Sequence, residues 1–288
     1  MLRISKPVGI TPIDFWLDYR IKHFLPDNSR IESQRLPIAA ICGKLDPMAE
    51  GELVIILKQV WSKHLLTPSV QVLPLPIQLN SLNFSDSMDA LCNHEKTYKF
   101  TLLIGVSTNS DDRLGIIEAI FNPSHTHTHT QDMCVKIVEK ELLEYCANLK
   151  EQEYHAFSAK RVNGKPLWWW KRHDRMNEIS VPKHLCNIKE VEIINNDSII
   201  STTEFVKDTV SILTNNKENL EDFIVDNIIN SWTNLINLSE ETPHNLSLVT
   251  VRVRVTGGTF IRQICRDLIK KTGIPMMCSS IIRECIHI

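Results

Sequence analysis

The sequence is compatible with an α+β fold, and two patterns show why. Val249, Val251, Val253 and Val255 alternate with Thr250, Arg252, Arg254 and Thr256, the repeat of a strand with one face buried and the other basic. Ile261, Ile264, Cys265, Leu268 and Ile269 fall on one face of a helix that Gly273 and Pro275 end. The chain has 288 residues, 43% of them hydrophobic and 23% charged, which is enough to bury a sizeable core. Both patterns are compatible with α+β without fixing how the strands are arranged.

Taken in order, residues 6–12 (Lys-Pro-Val-Gly-Ile-Thr-Pro) read as a turn and residues 43–51 as a second loop, followed by a strand over 52–58. Residues 67–94 contain Pro68, Pro74, Pro76 and several Ser and Asn, and read as an irregular connection. Strands are expected over 98–106 and 116–121, around a turn rich in Ser and Asp, and a helix over 134–149. From about 196 to 245 the composition shifts. Asn195 to Asn245 contains nine acidic residues and two lysines, yet keeps Phe223, Ile224, Ile228, Ile229, Trp232 and Leu235 at helical spacing. We read this stretch as an acidic helical insertion. No internal repeat is present.

Composition excludes several classes. Purely apolar runs are short, as at 53–57, so no bilayer span is expected. The amino terminus has no apolar signal core, and the expectation is an intracellular protein. Eight cysteines include no C-x-x-C pair and no zinc spacing, so reduced thiols are expected. His125, His127 and His129 alternate with threonine. A transition metal could sit on such a run, but it reads first as a polar loop tip of biased composition.

Charge is segregated. The net charge is only −2, yet residues 160–175 and residues 252–271 each carry six cations and one acid. Outside them stand 20 basic and 32 acidic residues. The first segment also holds Trp168, Trp169 and Trp170, which cannot all be buried on one face. Cations interleaved with aromatics suit a polyanion with stackable bases, although charge alone specifies only phosphate. Arg262 falls in the first turn of its helix, where a cation opposes the dipole, a placement easier to understand if it faces a carboxylate or a phosphate. Asp46, presented by the glycine-bounded loop 43–51 and followed by Pro47, is the partner we expect.

These residues resemble the TruB-type pseudouridine synthases. KPVGITP (6–12) is similar to the family's amino-terminal turn, with Pro12 where a serine is usual. GKLDPMAEG (43–51) resembles the loop of the catalytic aspartate, KTYKF (96–100) the segment of the active-site tyrosine, and TNSDDRLG (108–115) the acidic turn that follows. FSAKRVNGKPLW (157–168) resembles a substrate-binding segment, and GGTFIRQI (257–264) the motif with the arginine partner of the aspartate. The family's histidine five residues before the aspartate is Ile41 here, and its paired prolines before Phe157 are Tyr154 and His155.

The resemblance implies the pseudouridine synthase fold: a mixed, mainly antiparallel sheet flanked by helices, with a central cleft. It implies one catalytic domain over 1–288 with no carboxy-terminal PUA domain, as in the fungal and eukaryotic branch, and a monomer that uses neither cofactor nor metal. The implied activity is isomerisation of a T-loop uridine of tRNA (position 55), with the tRNA T arm as partner. Asp46, Tyr98 and Arg262 would be catalytic. Gly43, Asp112, Lys160, Arg161, Lys165, Arg172, Arg175 and Ile281 would contact substrate. The alternatives are a non-catalytic tRNA-binding or tRNA-folding protein on the same scaffold, a guide-RNA-directed synthase, and a plain α+β protein.

Overall fold

The computed structural model describes residues 1–24, 39–57, 73–74, 83–121, 130–221, 223–237 and 245–288. The elements run β1 (Leu2–Lys6), α1 (Pro12–Phe24), β2 (Ala39–Cys42), β3 (Ala49–Leu57), α2 (Phe84–Asn93), β4 (Lys96–Ile104), β5 (Val106–Thr108), β6 (Ile117–Ile120) and α3 (Gln131–Asn148). They continue with β7 (Glu151–Glu153), β8 (Arg161–Val162), β9 (Lys165–Pro166), α4 (Leu167–Arg172), β10 (Lys183–Leu185), β11 (Ile188–Ser201) and α5 (Thr202–Asn215). Last come α6 (Val225–Asn237), β12 (Asn245–Val255), α7 (Ile261–Thr272) and β13 (Met276–Ile286).

The main sheet has seven strands in the order β1-β3-β13-β4-β12-β11, with β2 also on β3. Among the described strands of this sheet only the β13–β3 pair is parallel, so the sheet is mixed and mainly antiparallel, as expected. The valines of β12 are fully buried, and with Phe100 and Leu102 of β4 they meet α3 and α7 on one face. Leu103, Leu246 and Met277 turn to the other face, where α5 and α6 pack around Phe205 and Trp232. Each side chain goes to the layer that the two-residue pleat dictates. The parallel junction leaves no space at Gly51: its φ is +109°, and a Cβ there would lie 2.2 Å from the Arg283 carbonyl oxygen.

Three expectations are corrected. Residues 84–93 are helix α2, because Asn83 caps the first turn by accepting from the Asp86 amide (2.9 Å) and Leu91 fills a satellite core. Proline density upstream hid that local signal. Helix α1 starts at Pro12, the end of the stretch read as a turn, where proline lacks the amide that a first helical position does not use. The stretch from 196 begins as strand, since β11 runs on to Ser201 against β12, and α5 and α6 follow it. Lys58, most of 67–82 and the histidines at 125, 127 and 129 lie outside the described residues. All eight cysteines are free thiols. Among the described residues no helix is long and apolar enough to cross a membrane.

Candidate active site

Asp46 lies in the turn between β2 and β3, where the Ala49 amide donates to its carbonyl (3.0 Å). The amino-terminal turn fastens this loop. The Gly9 amide donates to the Pro47 carbonyl (2.9 Å), and the buried Lys6 Nζ donates to the carbonyls of Pro7, Ile10 and Pro47 at 2.7, 2.8 and 3.2 Å. Burial, only partly offset by Asp46 and Glu50, brings the Lys6 ammonium down to about 8.

Arg262 arrives from the opposite side, at the start of α7. Its Nε and Nη2 donate to the two Asp46 oxygens at 2.6 and 2.7 Å, a bidentate fork that fixes the carboxylate plane. Nη1 donates to the Ser110 carbonyl (2.8 Å), and Asp112 Oδ2 stands 3.6 Å from Nε. Two carboxylates thus offset the unfavourable helix end. Burial works against the Arg262 charge, but Asp46 and Asp112 outweigh it and hold the guanidinium above its ordinary range. For Asp46, burial pushes the carboxyl up; Arg262 and its hydrogen bonds prevail, and the net displacement is downward. The two carboxylates therefore part company. Burial raises Asp112 to about 6 despite Arg262 and the bonds it accepts from Ser110 Oγ (2.6 Å) and the Leu114 amide (2.9 Å).

This ion pair forms the floor of a cavity of about 310 Å³, at the small end of the usual range of roughly 300–1,000 Å³ for ligand pockets. Asp112, Leu114 and Phe157 line its walls, and Trp168, Arg172 and Phe223 its mouth. The Asp46 side chain keeps 30% of its surface accessible, against 4% for both Arg262 and Asp112, so it is the more accessible of the two carboxylates that line the cavity. The set offers an ionised, rigidly oriented carboxylate in a largely apolar enclosure, suited to nucleophilic attack or proton removal on a bound molecule. Among the described residues no group of three or more His, Cys, Asp or Glu could hold a metal.

The other expected site residues divide. Tyr98 is 7% exposed within the main core and is not among the cavity-lining residues; its hydroxyl lies 3.4 Å from Arg283 Nη1. Gly43 spends both backbone groups internally, its carbonyl accepting from Arg283 Nη2 (2.9 Å) and its amide donating to Cys92 Sγ (3.3 Å). Ile281 is buried between Phe100 and Ala49 in the sheet. Lys160 lies over Tyr154 (4.7 Å) and Lys165 over Trp169 (5.0 Å), while Arg161 donates to the Gly164 carbonyl (2.8 Å). Arg172 reaches the cavity, whereas Arg175 is forked onto Glu178 at 2.6 Å.

Sequence reasoning missed a buried network beside the floor. Asp111, at φ +59°, accepts from His155 Nε2 (2.8 Å) and Arg266 Nε (2.8 Å) on one oxygen. His155 Nδ1 accepts the Phe157 amide (3.1 Å), which makes Nε2 the protonated nitrogen. Burial, with Arg262 nearby, holds this imidazole well below its usual range, hence neutral. The adjacent Asp111–Asp112 pair and the histidine at a position of family prolines were its signals. Phe223 gave none, since its place at the mouth depends on how α5 and α6 dock.

Residues 75–210 match the model of the TruB family pseudouridylate synthase, N-terminal domain. The chain is 25% identical to tRNA pseudouridine synthase B of Caldanaerobacter subterraneus over 194 residues, 67% of this chain and 48% of that protein. It is 25% identical to the same-named protein of Staphylococcus saprophyticus over 227 residues, 78% of this chain and 56% of that one. The chain thus spans about half the length of these curated relatives. A chain in the crystal structure of a Cbf5-Nop10-Gar1 complex overlays 98% of this one and 47% of itself at 12% identity, with a TM-score of 0.41, a likeness too loose to carry an argument. The family match over 75–210, with the motifs of the flanking segments in family order, makes this chain similar to the TruB family of pseudouridine synthases.

Proposed function

We propose that the protein is a tRNA pseudouridine synthase that isomerises the T-loop uridine at position 55. The single observation that carries this reading is the bidentate Asp46–Arg262 pair on the cavity floor. The reaction breaks the C1′–N1 glycosidic bond, turns the uracil and joins its C5 to C1′; C5 then gives up its proton and N1 takes one up, so that product and substrate are isomers. The uridine must leave its stack to reach Asp46, at a cost of a few kcal/mol that contacts to the rest of the RNA offset. Asp46 acts on the ribose, either as nucleophile at C1′ or as base toward the C2′ proton. Both need the carboxylate ionised in a site that bound RNA closes, and Arg262 supplies that condition. Asp112, the more basic carboxyl, adds a second negative charge 3.6 Å from the guanidinium Nε that Asp46 also engages. In this reading Lys160, Arg161, Lys165 and Arg172 meet phosphates or bases.

The test uses T-arm RNA labelled with tritium at C5 of uridine. Asp46→Asn is expected to abolish tritium release while leaving RNA affinity within about threefold; full release by the variant refutes the assignment. Tyr98→Phe decides whether the tyrosine belongs to the mechanism: loss of release with retained binding places it there, and an unchanged rate removes it. A non-catalytic RNA binder would release no tritium in any form.

A further inference from the structure

The cavity mouth has a composition that the floor does not explain. Trp168, in the first turn of α4, is 39% exposed, while its neighbours Leu167 and Trp170 are buried and fix the helix in place. Phe223 comes from the distant connection between α5 and α6, where its amide donates to the Leu220 carbonyl (2.8 Å) and its carbonyl accepts from the Val225 amide (2.7 Å). Both rings border one cavity, and the Arg172 guanidinium lies 5.4 Å from each ring centroid. Among the described residues Arg172 pairs with no carboxylate within salt-bridge distance. A flat cation thus lies between two aromatic rings that border the same cavity. A nucleobase has the shape and π-face that a space between two rings takes, and the displaced guanidinium could then meet a phosphate.

We propose that Trp168, Arg172 and Phe223 form a second base-binding position, which holds one unpaired nucleobase of the RNA beside the uridine lowered to Asp46. The proposal rests on the reading of the chain as an RNA-modifying enzyme. It gives the α5–α6 segment a direct part in substrate recognition, through Phe223.

The experiment measures kcat/KM for uridine isomerisation on T-arm stem-loop RNAs in which each loop nucleotide near the target is made abasic in turn. For the wild type, one abasic position is expected to cost about tenfold, the scale of one base–aromatic stack. Phe223→Ala and Trp168→Ala should shrink that penalty below about twofold, while Phe223→Tyr, which keeps the ring, retains it. Should Phe223→Ala fail to fold, the more exposed Trp168→Ala gives the same comparison. An equal penalty in wild type and variants, or no abasic position costing the wild type more than twofold, overturns the second position while leaving the enzymatic reading intact. A wild type that isomerises none of these RNAs overturns both.

Discussion

Residues 160–175 and residues 252–271 carry the same formal charge, six cations to one acid, yet the fold uses them in opposite ways. In the second segment every cation has a carboxylate. Arg252 meets Glu192 and Glu284, Arg254 meets Glu95 and Glu190, Arg262 meets Asp46, and Arg266 meets Asp111. Lys270 reaches Glu153 and Asp267, and Lys271 reaches Glu141 and Glu144. In the first segment, among the described residues, Lys160, Arg161, Lys165 and Arg172 have no carboxylate partner within salt-bridge distance. Only Lys171, 4.0 Å from Glu118, and Arg175 do. The expectation that both segments face a polyanion is therefore corrected for residues 252–271. Carboxylates from neighbouring strands, loops and helices, most of them distant in the chain, have already neutralised them.

The sharpest way to test that contrast is to remove Arg262. Arg262→Ala strands Asp46 and Asp112 beside each other in a buried place, and a loss of about 3–5 kcal/mol in urea unfolding is expected. A fall of less than about 1 kcal/mol, the scale of an exposed pair, would mean that the pair is solvated and the contrast overstated. Next in size is the surface term. Changing Lys160, Arg161 and Lys165 together to Gln should weaken tRNA binding about tenfold or more at low salt. It should also lower the slope of log affinity against log salt, by about 0.9 for each phosphate no longer neutralised. Arg252→Gln with Arg254→Gln should leave that slope unchanged, and a fall equal to that of the lysine–arginine triple would erase the distinction.

The smallest effect concerns pH and separates the carboxylates around Arg262. The Asp112 carboxyl, raised to about 6, binds a proton in the folded chain between roughly pH 4 and 6, where the unfolded chain has released it. Its contribution to stability therefore declines as pH rises through that window and is constant above it. Asp46, displaced downward, does the reverse and loses its contribution only in stronger acid. Asp112→Asn should remove the first slope from unfolding curves taken between pH 4 and 7, with activity reduced only a few-fold. A slope that survives the substitution assigns the titration elsewhere.

Much of the fold was legible because its signals are local. The β12 valines, the α7 face with Gly273, and the helix around Val138 and Leu142 each announce themselves within about ten residues. What failed were elements whose cues were masked or absent. Asn83 capped a helix downstream of three prolines, and α1 lay in a stretch read for its turn. At the site, the Asp46–Arg262 pair followed from a misplaced cation and a glycine-bounded carboxylate. Tyr98 shows the limit of the same method: period and motif put it on a strand, but only the pleat decides that its ring enters the core and not the cavity. The His155–Asp111–Arg266 network joins three segments, and no window of sequence contains it.

The close approach at Gly9 has a consequence for anyone who would trim the acidic segment. With φ at +88°, Gly9 lies so near the Asn216 side chain at the end of α5 that a Cβ there would sit 2.2 Å away, while its amide donates to Pro47. Excising the α5–α6 pair would leave that turn without its backing, one hydrogen bond from the residue after Asp46. A shortened version should accordingly keep the end of α5, or restore an equivalent buttress, before any fall in turnover is blamed on weaker RNA binding.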